Sequence, residues 1–321
     1  MKLIVQIPCF NEEAQLTKTV RDLPDSLPGI DTIEILIVND GSTDRTEAVA
    51  RELGLNVLSI PVNRGLAYAF TVGVEASLAR GADIIVNTDA DNQYRGDDIG
   101  ALVEPILAGR ADVVIGARPI GEIDSFSPLK KMLQRAGSWV VRRLSGTRVA
   151  DASSGFRAMN REAALQTNVF SRYTYTLETI VQAAYRGLRV TSVPIRVNGV
   201  TRESRLVRSN RNYVWRTGSD LIRILVIYRP FRSFMLLAIA LFAVATIVAL
   251  RFLYYFMVTD EGSGHIQSLV LAEILYGLCG TLVAVAFIGD LMAINRRLLE
   301  ELRLGARRAK FEIIGPGKKD P

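Results

Sequence analysis

The chain has 321 residues, of which 49% are hydrophobic, a formal net charge of +6 and a positive mean hydropathy, more apolar material than one soluble core consumes. Its two cysteines, Cys9 and Cys279, allow neither a disulfide framework nor a zinc cluster and fit a reducing compartment. The positive charge is not a nucleic-acid signal, because its arginines gather beside two long apolar stretches, where anionic lipid is the expected partner.

From the N-terminus, MKLIVQIPCFNEE holds an apolar run too short for a secretory signal before it turns acidic, so these residues are expected to stay on the side of synthesis. Short β-branched runs recur at 3–7, 33–38, 56–60, 83–87 and 112–116 and read as strands. Between them, the spacing of Leu16, Val20 and Leu23, the stretch 43–53 after a Gly-Ser turn, and 67–79 read as helices. The alternation predicts an α/β fold with a mostly parallel sheet, since parallel neighbours need helical crossovers. Ligands of such sheets bind beyond the carboxyl ends of the strands, where three polar clusters fall: 8–13, 39–44 and 88–94.

Asp89 and Asp91, two residues apart after a buried strand, put both carboxylates on one edge, and Gln93 adds an amide oxygen. Mg2+ and Mn2+ take oxygen ligands, and a protein binding a nucleoside diphosphate supplies only one or two carboxylates. A solvated acidic turn fits the same residues. Asp40 at a strand end offers acceptors to a nucleobase or ribose, with Gly41 and Ser42 turning into the next helix; helix capping by Ser42 or Thr43 explains that cluster equally. Pro8 ends the first strand, and Asn11 and Glu12 face the same cleft, with capping by Asn11 as the structural alternative.

Further on, PLKKMLQRAGSWVVRRL places Leu129, Met132, Leu133, Ala136, Val140 and Leu144 on one helical face, with Lys130, Lys131, Arg135, Arg142 and Arg143 basic. Such a helix either lies on a membrane or packs on the domain with a solvated basic face. The segment 205–229, with Tyr213, Trp215, Leu221, Ile222 and Leu225, reads as interfacial and leads into two stretches, 231–257 and 266–294, long enough to cross a bilayer. Eight arginines from Arg202 to Arg232 precede the first stretch, and five arginines with Lys310 follow the second. The loop between them carries Asp260, Glu261 and the single histidine, His265, to which no role is given, but no Lys or Arg. Positive charge stays inside, so both termini are expected in the cytosol. Arg251, Glu273 and Asp290 lie within the apolar stretches near their ends and can snorkel, and Arg251 and Glu273 lie at depths that make them candidate partners. The expected layout is a catalytic part over 1–204, interfacial helices over 205–230, two spans over 231–295 and a basic tail over 296–321, disordered after Gly315.

The motifs IPCFNEE, VNDGSTDRT, NRGLAYAFTVG, TDADNQY, GARPIG, DASSGFRAMNRE and SVPIRV, in this order over residues 1 to about 200, resemble family 2 glycosyltransferases of the GT-A fold. Within that family the chain is similar to the polyprenyl-phosphate glycosyltransferases of the dolichol-phosphate mannose synthase type. The resemblance implies a Rossmann-like GT-A domain followed by interfacial helices and a two-helix transmembrane hairpin. It implies that Pro8, Phe10, Glu12, Val38 and Asp40 surround the nucleoside, that Ala90 lines the sugar diphosphate, and that Asp89, Asp91 and Gln93 hold Mg2+ or Mn2+. Asn11, Gly65 and Asp89 complete the expected nucleotide-sugar set. Arg118, Arg202 and Arg205 match positions that meet phosphates, and Lys131 and Arg135 join them on the acceptor side. Asn39 departs from the aspartate that many members carry, leaving Asp40 as the one carboxylate beside the base.

An acceptor phosphate is largely ionised near neutral pH, with a second pKa of about 6, so a strong general base is dispensable. Asp151 is expected nearest the attacking oxygen, either orienting the substrates or taking a proton, with loop capping as its structural alternative. Single displacement inverts the anomeric carbon, with metal on the leaving diphosphate and Arg118 on the incoming phosphate. The expected enzyme moves a hexose from a nucleotide sugar, UDP-linked by preference and GDP-mannose otherwise, to a polyprenyl phosphate at the cytosolic face of the cytoplasmic or ER membrane, and its spans can support a homo-oligomer. A processive polysaccharide synthase would bring a Q-x-x-R-W signature and more spans. A nucleotidyltransferase would bring a glycine-rich, lysine-containing N-terminal loop, and an inactive scaffold would not keep carboxylates in all three clusters.

Overall fold

The β-branched runs assemble into one sheet. A computed structural model describes residues 1–121, 128–169, 175–198, 218–219, 222–223, 225–258 and 266–313. The strands are β1 (Lys2–Cys9), β2 (Thr32–Asp40), β3 (Asn56–Ile60), β4 (Ile84–Asn87), β5 (Val113–Ala117), β6 (Arg157–Asn160) and β7 (Val190–Pro194), in the order β3-β2-β1-β4-β6-β5-β7. All pairings are parallel except those of β6, which runs antiparallel to β4 and β5. Helices α1 (Glu13–Arg21), α2 (Thr46–Glu52), α3 (Leu66–Ala79), α4 (Ile99–Leu107), α5 (Pro128–Ser145), α6 (Arg161–Gln166) and α7 (Thr176–Tyr185) connect the strands. Because a parallel sheet is covered on both faces, β1 is buried without alternation from Leu3 to Cys9, apolar but for Gln6.

The chain lays β2 and β3 on one side of β1 and β4 on the other, which opens a crevice at the carboxyl ends of β1 and β4. The α/β expectation and five strand positions therefore hold. The second helix starts later than expected, at Thr46, after a turn in which the Asp44 carboxylate accepts the Thr46 N–H at 2.9 Å.

Helices α8 (Pro230–Val258) and α9 (Ile266–Ile313) are long and apolar enough to cross a membrane. They pack antiparallel, Phe231 against Phe287 with ring centroids 5.4 Å apart and Phe242 against Tyr276 at 5.3 Å. The bare Cα of Gly289 permits the approach, since a Cβ there would stand 2.8 Å from Pro230 Cβ. Their outward side chains, among them Leu236, Leu237, Ile247 and Leu291, are exposed. Arg251 stacks over Tyr255 at 5.8 Å, and among the described residues no ion pair joins it to Glu273, so the expected partnership is not formed.

Two compact units result, Met1–Leu221 with Leu304–Pro321, and Ile222–Arg303. Residues 296–313, expected as a basic tail, are the last turns of α9. Within the first unit, Arg307 donates to the carbonyls of Leu165 (3.1 Å) and Thr167 (2.7 Å) and to Glu75 on α3 (2.7 Å), while Arg161 donates to the carbonyl of the buried Phe311 (3.3 Å). The expected interfacial segment lies mostly, and the expected disordered end wholly, outside the described residues.

Candidate active site

The loops after β1 and β2 are stitched together. Asn11, at a left-handed φ of 54°, accepts the Thr43 N–H on its side-chain oxygen (2.8 Å) and donates its own N–H to Ser42 Oγ (3.0 Å). The Glu12 N–H reaches Thr46 Oγ1 at 2.8 Å. Asn11 thus bridges two loops and does not cap α1. Asn39, the position departing from the expected aspartate, donates to Glu47 on α2 at 3.0 Å and accepts the Ser42 N–H at 3.1 Å. An aspartate there would set two carboxylates against each other.

Asp40 is buried, and its two oxygens accept the backbone N–H groups of Arg64 (2.9 Å) and Gly65 (2.8 Å), fixing the loop that opens α3. Asp40 and Gly65, expected separately, therefore form one unit. Phe10 is 39% exposed at the end of β1. Pro8 is buried in register with Val38. The Val38 side chain points into the core against α3, where a Cβ on Gly73 would meet it at 2.9 Å. Only the Val38 backbone is therefore left to line a nucleotide cleft.

The third loop follows β4. Thr19 Oγ1 of α1 donates to the Ala90 carbonyl at 2.9 Å, and the Asp91 carboxylate accepts the Gln93 N–H at 3.1 Å. Asn92 between them is left-handed, with φ of 55°. Burial and the neighbouring charge of Asp91 push the Asp89 carboxyl up to about 7, against the pull of Arg118 and Arg157. A raised value is what two carboxylates produce when they share a site. The pair fits a hard divalent cation: among the described residues no third His, Cys, Asp or Glu joins it, which leaves the remaining positions to substrate oxygens, water and the Gln93 amide.

Opposite Asp89 lies the loop 151–155. Arg118, just past β5, grips Asp151 through Nε (2.6 Å) and Nη2 (3.2 Å) and donates to Ser153 Oγ (2.8 Å). Both side chains are buried. Burial works against the Arg118 charge, but the Asp151 carboxylate bonded to it keeps it cationic. Both Asp151 oxygens are taken, one also by Ser153 N and Oγ, so Asp151 acts here as the holder of Arg118.

Sequence reasoning missed the layer behind the carboxylates. A Cβ on Gly155 would stand 2.9 and 3.0 Å from the Asp89 oxygens and 3.1 Å from the Tyr175 hydroxyl, so only glycine lets this loop pass. Asn87 donates to the Gly155 carbonyl (2.9 Å) and to Tyr175 (2.8 Å), and Gly155 N–H donates to Tyr94 (3.1 Å). Arg157, fully buried, lies 5.0 Å over the Tyr175 ring and donates to Thr179 at 2.6 Å. Gly155 and Arg157 stand in DASSGFRAMNRE, singled out for Asp151 alone; Tyr175 had no local signal. Of the expected acceptor residues, Lys131 donates to the Gly121 carbonyl at 2.9 Å and Arg135 is exposed on α5. Arg202 and Arg205 lie outside the described residues.

Residues 4–166 match the family described as glycosyl transferase family 2. The chain is 30% identical over 206 residues to an undecaprenyl-phosphate mannosyltransferase of Micrococcus luteus, a match covering 61% of this chain and 83% of that protein. It is 30% identical over 213 residues to a UDP-N-acetylglucosamine–dolichyl-phosphate N-acetylglucosaminyltransferase of Methanococcus voltae, covering 59% and 83%. Among solved structures, glucosyl-3-phosphoglycerate synthase from Mycobacterium tuberculosis, in complex with Mn2+, UDP-glucose and phosphoglyceric acid, shares the fold with a TM-score of 0.55 at 22% identity, covering 70% of this chain and 78% of the other.

Proposed function

This chain belongs to glycosyltransferase family 2, and from that membership we propose that it moves a hexose from a UDP-sugar to the phosphate of a membrane-borne polyprenyl lipid, with inversion. The observation that carries the reading is one crevice in which the Asp89 carboxylate lies within electrostatic reach both of Asp91 and of a buried arginine, Arg118. The lipid acceptor is supported by the names of relatives that act on undecaprenyl and dolichyl phosphate.

In this reading Phe10 and the Asp40–Gly65 unit border the nucleoside, and Asp89, Asp91 and Gln93 would hold Mg2+ or Mn2+, which when bound supplies charge neutralisation on the leaving diphosphate. Arg118 meets the incoming phosphate, helped by Lys131, Arg135, Arg202 and Arg205. Asp151 keeps Arg118 aimed and takes no proton, because the acceptor oxygen arrives ionised. The layout is a catalytic part over 1–204, interfacial helices over 205–230 and two spans, with both termini cytosolic, a reading supported by the arginines flanking α8 and α9. A second donor, GDP-mannose, is supported by relatives named for mannose transfer, and thermal stabilisation by a panel of nucleotide sugars will choose between them.

The test is transfer of radiolabelled sugar from nucleotide sugar into organic-extractable polyprenyl phosphate. It should require a divalent cation, and Asp91→Ala should lower it at least ~100-fold. Full activity in EDTA, or label that reaches only water-soluble glycan, overturns the reading.

A further inference from the structure

The four residues after β7, 195–198, touch both sides of the crevice. Ile195 donates its N–H to the carbonyl of Ala117 (3.0 Å), next to Arg118, and Val197 packs on Ile120. Val197 also forms an antiparallel bridge with Tyr94, and Arg196 donates its backbone N–H (2.6 Å) and its guanidinium (2.9 and 2.6 Å) to the buried Asp98. The strap ends on the loop that carries Asp89 and Asp91. There the Asn198 N–H reaches the Gln93 carbonyl at 2.9 Å, and its side-chain amide donates to the Asn92 carbonyl at 3.0 Å.

The turn that Asn198 grips does not hold itself. Asn92 sits at a φ of 55°, a conformation that asparagine reaches at little cost when its side chain bonds locally. Here both amide atoms of Asn92 are buried and bond nothing among the described residues. The turn is fixed instead through its backbone, by Asp91 on the Gln93 N–H (3.1 Å) and by Asn198 on two consecutive carbonyls. We propose that Asn198 is a positioning residue for the divalent cation, holding the Asn92–Gln93 turn so that Asp91 and Gln93 meet one ion. Contacts behind a metal's ligands orient those ligands and set its affinity. Asp91 is itself an expected ligand, so the hold that does not compete with the cation comes from Asn198. The strap's other end, on Ala117, sets this turn against Arg118. One short segment thus spans the groups assigned to the leaving and the incoming phosphates. The inference rests on the metal reading given above.

The test is Mn2+ binding by the full chain in nanodiscs, read from the EPR signal of free Mn2+ with UDP present, or with GDP where only GDP stabilises the chain. Asn198→Ala should bind Mn2+ about 10-fold or more weakly, keep its affinity for the nucleotide in EDTA, and regain transfer when Mn2+ is raised by the same factor. Should that variant not fold, Asn198→Ser, which keeps a shorter donor, carries the same expectation in the same direction. Arg189→Gln breaks the pair with Asp112 at the opposite end of β7 and should lower the Tm without moving the Mn2+ affinity. Equal Mn2+ affinity in the wild type and Asn198→Ala overturns the inference and leaves the metal site standing. So does a loss of Mn2+ affinity that Arg189→Gln reproduces, since general loosening then explains it. A wild type that binds no Mn2+ beside the nucleotide overturns the metal site itself, and the inference with it.

Discussion

Asp151 was the residue most open to two roles, orienting or taking a proton, and its contacts support the first. Its oxygens receive Nε and Nη2 of Arg118 and both donors of Ser153, so the carboxylate is committed to aiming Arg118. Asp151→Asn should therefore cut turnover about 10–100-fold by loosening Arg118, while the acid limb of the pH–rate profile, set by ionisation of the acceptor phosphate, stays in place. A variant whose residual rate no longer depends on pH would make Asp151 the base after all. The strand-end positions of Asp40, Asp89 and Asp91 were legible in the sequence because the carboxylates directly follow buried β-branched runs. Gly155, Asn87 and Tyr175 were not, because they act by contact between distant segments: Tyr175 meets Asn87 across 88 positions of chain, and no local pattern records that.

At the scale of elements, the site depends on how the loops after β1 and β2 hold each other through Asn11, and Asn39 is the joint that fixes the second loop to α2. Bonds from Ser59, Arg51 and Asn39 hold the Glu47 carboxyl below its ordinary value. A depressed carboxyl contributes stability above the unfolded value and loses it as pH falls through the folded one. Asn39→Asp removes a donor and adds a like charge, so it should lower the Tm at pH 7 by about 2–4 °C, with the deficit closing below about pH 4 as both carboxylates protonate. An unchanged Tm at pH 7 would show that the loops do not rely on this joint. The first five strands were readable because buried parallel strands are runs of Val, Ile and Leu. β6 was not: it has four residues, begins with Arg157 and inserts antiparallel between β4 and β5. Its place depends on where the Arg157 guanidinium finds partners, which short-range periodicity does not encode.

For the molecule as a whole, the catalytic unit is discontinuous in sequence: residues 304–313 at the end of α9 pack into it through Arg307 and Phe311. Arg307 is nearly buried and bonded to one carboxylate and two carbonyls, so Arg307→Ala should lower the Tm by about 2–6 °C, the equivalent of 1–2 kcal/mol in a chain of this size; a Tm within error of wild type would mean that α9 ends on the unit without holding it. The split also sets an order of events during synthesis. The Glu75 carboxylate and the Leu165 and Thr167 carbonyls leave the ribosome long before Arg307 does, with both apolar helices made in between. At ~5–20 residues per second the interval is roughly 7–30 s for Leu165, so the nascent catalytic unit waits with an open seam while the two apolar helices are made, and only then closes.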